Sequence, residues 1–135
     1  MDNILSTRGQ LERQLSQTLQ SLYRQQFGHL PSKIVCHLFD DKLAIVAEDT
    51  ITDVEKMLLG NAQANLAYNV RSVIDKAFTI EIEKIIVDIL KVEIIDSICD
   101  SVLDTGYVGI IVFLSDCPQV RIAKTEIRKA EVNFL

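Results

Sequence analysis

The chain has 135 residues, of which 48% are hydrophobic and 24% are charged, and its formal net charge at pH 7 is −5. This composition is typical of a globular domain and excludes a largely disordered chain. The acidic balance argues against non-specific nucleic-acid binding, which depends on neutralising phosphates. The sequence contains no run of 18 uncharged apolar residues, so no transmembrane helix is predicted.

The first predicted unit is an amphipathic helix followed by a β-hairpin. Leucines at helical spacing predict a helix from about Thr7 to Phe27, which Gly28 ends and Pro31 prevents from resuming. The β-branched and aromatic segments on either side of Asp40-Asp41 predict two strands joined by a two-residue turn. Because both faces of these strands are apolar, we expect them to be covered on both sides, by helices or by a partner chain.

The second unit repeats this plan after a short helix. Thr52 and Glu55 fit a capping box that starts the short helix, which ends near Gly60. Apolar residues keep a helical period over residues 62–90, which corresponds to a helix of about 40 Å. Strands over about residues 92–103 and 107–115 follow, joined by a turn in which glycine suits a positive φ.

The repeated plan predicts an α+β fold in the order αββααββ. A four-stranded, mainly antiparallel sheet would be packed by long helices, with residues 1–117 forming one domain. Residues 118–135 form a tail in which Arg121, Lys124, Arg128 and Lys129 outnumber Glu126 and Glu131. This basic tail is either a solvated terminus or a small interaction arm.

Side chains that could carry chemistry are scattered along the chain. Asp96 and Asp100 share one face of a predicted strand, where they could bind a divalent cation or keep an exposed strand edge soluble. His29 and His37 do not have the spacing of a metal site. The cysteines form no CxxC motif, so we expect reduced thiols in a cytoplasmic protein. The first ten residues also lack the pattern of a signal peptide, and no cofactor, metal or catalytic motif is predicted.

Arginine is the residue type that most strongly suggests a ligand here. Arg24, beside Tyr23, and Arg71 each lie on one of the two long predicted helices. A planar guanidinium recognises carboxylate or phosphate, so these three residues are candidates for binding a small anion. An ordinary salt bridge, such as Arg71 with Asp75 at i,i+4, would explain the same pattern.

The long third helix suggests a dimer. Its apolar stripe is longer than one small sheet needs, and Ile82, Ile85 and Ile89 are the predicted interface residues. In the alternative, this helix folds over its own sheet and the same isoleucines belong to the core.

The segment LYRQQFGHLPSKIVCHLFDDKLAIVAEDTITDVEK resembles a bacterial family labelled as a domain of unknown function or as sodium-translocating-decarboxylase-subunit-like. Tyr23-Arg24, the break from Gly28 to Pro31, the Asp40-Asp41 turn, Thr52 to Glu55, Arg71 and the final FLSD carry the resemblance, over about residues 8–117. RGQLERQLSQ and the second hairpin are similar to cyanobacterial members. A decarboxylase pump subunit would need membrane spans or a biotin or carboxylase site, and the sequence has neither. The resemblance therefore implies the domain boundaries and a cytoplasmic bacterial setting, without an activity.

Together these features predict a non-enzymatic, cytoplasmic regulatory or interaction module that acts as a homodimer and has a possible protein partner. Neither nucleic acid nor a membrane is an expected partner. The alternative is a sensor that binds a small anionic metabolite through the helix arginines.

Overall fold

The computed structural model of the protein describes residues 5–122. Its elements are α1 (Arg8–Phe27), β1 (Lys33–Phe39), β2 (Lys42–Glu48), α2 (Asp53–Gly60), α3 (Ala64–Leu90), β3 (Ile94–Val102) and β4 (Tyr107–Leu114). This order confirms the predicted α+β fold. Within these residues, no helix combines the length and the apolar character needed to cross a lipid bilayer.

The four strands form one antiparallel sheet in the order β1-β2-β4-β3. The second hairpin therefore joins the first through β4, which pairs with β2, and β1 and β3 are left as the two edge strands. Helices α1 and α3 pack together on one face of this sheet, where leucine and isoleucine side chains of the helices and of three strands form the core. Tyr23 of α1 and Phe78 of α3 meet with their ring centroids 4.0 Å apart.

Local sequence signals act where they were predicted. The Thr52 hydroxyl accepts from the Glu55 backbone N–H, and the Glu55 carboxylate accepts from the Thr52 backbone N–H, so the capping box of α2 is present. Gly28 ends α1 with a φ of 63°, and Gly106 takes a φ of 79° in the β3–β4 turn. These are left-handed conformations that glycine adopts without steric cost.

The helices of the chain cover only one face of the hairpin strands, and the expected cover of the other face by a partner chain stays a prediction. In β1 the side chains alternate strictly, so that Ile34, Cys36 and Leu38 are buried while the residues between them are exposed. Both helices lie on the buried face, and no described element covers the other.

The chain beyond β4 returns to the start of α1. Pro118 is buried, Val120 packs against the core, and the Arg121 backbone N–H donates to the Ser6 carbonyl at 2.8 Å. The predicted basic tail thus begins against the N-terminal end of α1. The rest of that tail, residues 123–135, lies outside the described residues.

Candidate functional site

The most strongly buried charges of the described chain belong to one ion pair. Arg71 of α3 is 4% exposed and Glu55 of α2 is fully buried. The Arg71 Nε donates to Glu55 Oε2 at 2.7 Å, and its Nη2 donates to Glu55 Oε1 at 2.6 Å. This two-point geometry is the one in which a guanidinium binds a carboxylate best. It fastens the short helix α2, whose only buried residue is Glu55, to α3.

The same arginine also holds the loop before α2. Its Nη2 donates to the Thr50 carbonyl at 3.1 Å, while the Thr50 hydroxyl and backbone N–H both donate to the Gly106 carbonyl. The interactions thus run from α3 through the loop to the β3–β4 turn. Buried polar groups that satisfy one another in this way fix the relative position of the elements that carry them.

The electrostatic balance around Arg71 does not favour an anion. Glu55 neutralises the guanidinium, and the Asp75 carboxylate lies 3.6 Å from Arg71 Nη1, so two negative groups surround one positive group. Nη1 is buried and has no hydrogen-bond partner. A further anion would have to compete with carboxylates already in place, and the predicted i,i+4 contact with Asp75 is the weaker of the two ion pairs.

A groove of about 610 Å³ lies beside this cluster, between α3 and the edge strand β3. Asp75 accepts from the Ser101 hydroxyl at 2.6 Å in this groove, and burial raises the pKa of its carboxyl. Burial also raises the pKa of the Cys99 thiol to about 11, so this thiol is uncharged at neutral pH. Lys76 and Asp100 contribute one charge of each sign to the lining. The groove therefore carries no excess of positive charge.

The three predicted ligand-binding residues do not gather in that groove. Arg71 lines it, whereas Arg24 is exposed on α1 and does not. Tyr23 is 5% exposed and packs its ring against Phe27 and Phe78, and burial raises the pKa of its hydroxyl. Tyr23 thus acts as a core aromatic residue, and only Arg71 belongs to the polar cluster.

The three predicted interface residues of α3 lie in or against the core of their own chain. Ile82 is 2% exposed and belongs to the core, and Ile85 and Ile89 are partly buried against it. These three residues are therefore used largely within the chain's own core.

The large uncovered surface of the described chain is the other face of the sheet, which we call the open face. It presents exposed apolar side chains from all four strands: Val35 and Phe39, Val46, Tyr107, and Ile98 and Val102. Ile111 and Phe113 of β4 lie half-buried on the same face. A contiguous apolar surface of this kind marks an interaction site.

The strand register shows how charge is distributed over the open face. One cross-strand row contains Val35, Val46, Gly109 and Asp100, and the next contains His37, Ala44, Ile111 and Ile98. A third row runs from Phe39 through Lys42 and Phe113 to Asp96, and Lys33 stands opposite Glu48 at the end of the first hairpin. Apolar residues thus occupy the centre, and charges lie towards the margins, as in protein interfaces.

The histidines, aspartates and cysteines considered as metal ligands or redox groups do not come together in the structure. The His29 ring donates to the Asp49 carbonyl, and the His37 ring lies 3.3 Å from Glu12. Asp96 and Asp100 are exposed on the open face, and no group of three metal-ligating side chains forms among residues 5–122. Cys36, Cys99 and Cys117 are free thiols.

Sequence reasoning missed the partner of Arg71 and the open face. Glu55 was predicted only as a capping residue, because nothing local links it to Arg71, which is 16 positions away. In the structure it both caps α2 and pairs with Arg71. A signal for the open face was present in β1, where Lys33 and His37 alternate with the buried positions. Polar residues on one side of a strand indicate a face that the core does not cover.

Comparison with protein families gives a match over most of the chain. The model of the MpsC family, described as a Na⁺-translocating membrane potential-generating system, matches residues 7–116. The chain therefore belongs to the MpsC family. The resemblance to a family named for sodium translocation is confirmed at this level, and the family description mentions neither a decarboxylase nor cyanobacteria. No curated protein and no solved structure matches the chain.

Proposed function

We propose that this member of the MpsC family is a non-enzymatic regulatory or interaction module that works as a homodimer in the cytoplasm. The open face of the sheet is the observation that carries the proposal. A second copy of the chain would cover the apolar residues that the helices leave exposed, because a two-fold symmetric contact brings the same patch together from both subunits.

The size of the open face supports a dimer contact. Four strands about 4.8 Å apart, with about seven residues each, cover roughly 19 by 24 Å, or about 450 Å² in projection. Functional apolar patches on monomers measure about 300–600 Å². A standard interface removes about 800 Å² of accessible surface per partner, and the relief of the side chains brings the accessible area of this face towards that value.

Several observations support the other parts of this proposal. The three free thiols suit a reducing cytoplasm. The family description names a Na⁺-translocating membrane system, and we propose that protein subunits of such a system are the partners that the dimer regulates. We also propose that the chain is a cyanobacterial-type member of the family, as the segment RGQLERQLSQ suggests. A sensor of anionic metabolites is a weaker candidate, because Glu55 and Asp75 already surround Arg71.

The test is the mass of the protein in solution. Light scattering at micromolar concentration should give twice the 15.2 kDa mass of the chain. Val46→Glu, at a site that is 45% exposed in the centre of the open face, should shift the mass towards that of the monomer. Ile98→Lys, at a site that is 59% exposed, should do the same without altering the core.

Val73→Glu is the matched control, because Val73 is 68% exposed on α3, away from the sheet. It introduces the same charge at an apolar surface site and should leave the mass unchanged. Thermal melts followed by circular dichroism should show that all three variants are folded. A wild-type mass near 15.2 kDa at every concentration would refute the homodimer.

A further inference from the structure

We infer that the second copy docks on the open face with the two-fold axis parallel to the strands, so that β1 of one protomer lies across β3 of its partner. This inference rests on the proposed homodimer and adds its geometry. The occupant is a second copy because the two margins of the open face carry opposite charges and are complementary to each other.

The charge difference lies between the two edge strands. On the open face, β1 carries the cation Lys33, while its His37 ring lies 3.3 Å from the Glu12 carboxylate; β3 carries Asp96 and Asp100. Both aspartates are exposed, and each accepts a hydrogen bond only from the backbone N–H of the following serine among the described residues. Their carboxylates are therefore available to a cation brought by another protein.

Two face-to-face arrangements with aligned strands are compatible with two-fold symmetry, and charge distinguishes them. An axis parallel to the strands exchanges the two sides of the sheet and keeps each row at its level. Val35 of each protomer then faces Asp100 of its partner, and Lys33, two residues along β1, lies diagonal to that carboxylate. An axis perpendicular to the strands stacks β3 on β3 and collects four carboxylates along one margin. Like charges placed opposite each other at an interface are unfavourable, so the first arrangement is preferred.

The sizes of the side chains in the centre of the open face also favour the parallel axis. The parallel axis places β2 over β4, so Val46 of one protomer faces Gly109 of its partner and Ala44 faces Ile111. A large side chain then meets a small residue at these two central levels. Space for Val46 is present, because no atom lies within 4 Å of where a Cβ on Gly109 would be. Two sheets packed face to face in this way lie about 10 Å apart.

Charge reversal at the two margins tests the geometry. Lys33→Glu and Asp100→Lys should each weaken the homodimer about tenfold, because each creates two like-charge contacts across the interface. An equimolar mixture of the two variants should recover an affinity within about threefold of wild type, because both contacts in the mixed dimer then join opposite charges. Sedimentation velocity gives the dissociation constants, and native mass spectrometry identifies the mixed dimer by its mass.

The control pair is Lys56→Glu and Asp88→Lys, which reverse charges on exposed sites of α2 and α3. Each alone and their mixture should dimerise like wild type. If the wild type dimerises and the margin variants mix without preference, or if Asp100→Lys strengthens its own homodimer, the parallel-axis geometry is wrong while the homodimer stands. A wild type that stays monomeric at all concentrations overturns both.

Discussion

Replacing Arg71 by methionine should be one of the most damaging single changes in this protein. The substitution keeps most of the buried aliphatic length and removes the guanidinium, which makes three hydrogen bonds to Glu55 and to the Thr50 carbonyl. It leaves the fully buried Glu55 carboxylate without its counter-ion. The remaining partners of that carboxylate are the hydroxyl and backbone N–H of Thr52.

The magnitude follows from burial. Breaking a buried ion pair by removing one partner costs about 3–5 kcal/mol, because the other charge stays buried and uncompensated. Arg71→Met should fall in this range. Glu55→Gln should cost less, because a glutamine carbonyl can still accept from Arg71, and the Asp75 carboxylate remains 3.6 Å from its Nη1. The double variant should cost less than the two single variants added together, because neither charge is then left alone.

Urea denaturation of the wild type, Arg71→Met, Glu55→Gln and the double variant measures these free energies of unfolding. Lys84→Met is the control, because Lys84 pairs with Glu81 on the exposed surface of α3 and its loss should cost about 0.5 kcal/mol or less. A loss below about 1 kcal/mol for Arg71→Met, or strict additivity in the double variant, would refute this account of the pair.

Three further predictions concern local features. Thr52→Ala should lower the free energy of unfolding by about 0.5–2 kcal/mol through loss of the α2 cap, and an unchanged thermal melt would contradict this. Gly106→Ala should lower the melting temperature, because φ is 79° there and a Cβ would lie 3.4 Å from Asp49 Cα; an unchanged temperature would disprove the strain. Burial raises the pKa of Cys36 from 9.0 to about 11. The unfolded chain releases this proton first, so urea denaturation should show stability falling between these pH values, less steeply in Cys36→Ala.

The sequence by itself determined the features that depend on neighbouring residues. The start of α2 at Thr52, the end of α1 at Gly28, the turn at Asp40-Asp41 and the glycine at 106 all follow from the conformational preferences of a few adjacent residues. Because helical and strand periodicities are also local, the order αββααββ could be predicted. Of the candidate site, the sequence identified Arg71 and its i,i+4 neighbour Asp75.

Only the tertiary structure decided which distant residues meet. The strand order β1-β2-β4-β3 places the hairpins side by side through β2 and β4, an arrangement that neither hairpin encodes alone. Once α1 and α3 pack on one face of that sheet, Ile82 becomes core, and Val46 and Ile98 are left exposed on the other. Arg71 takes Glu55 as its main partner for the same reason, because a buried guanidinium needs the carboxylate that packing brings nearest, whatever its distance along the chain.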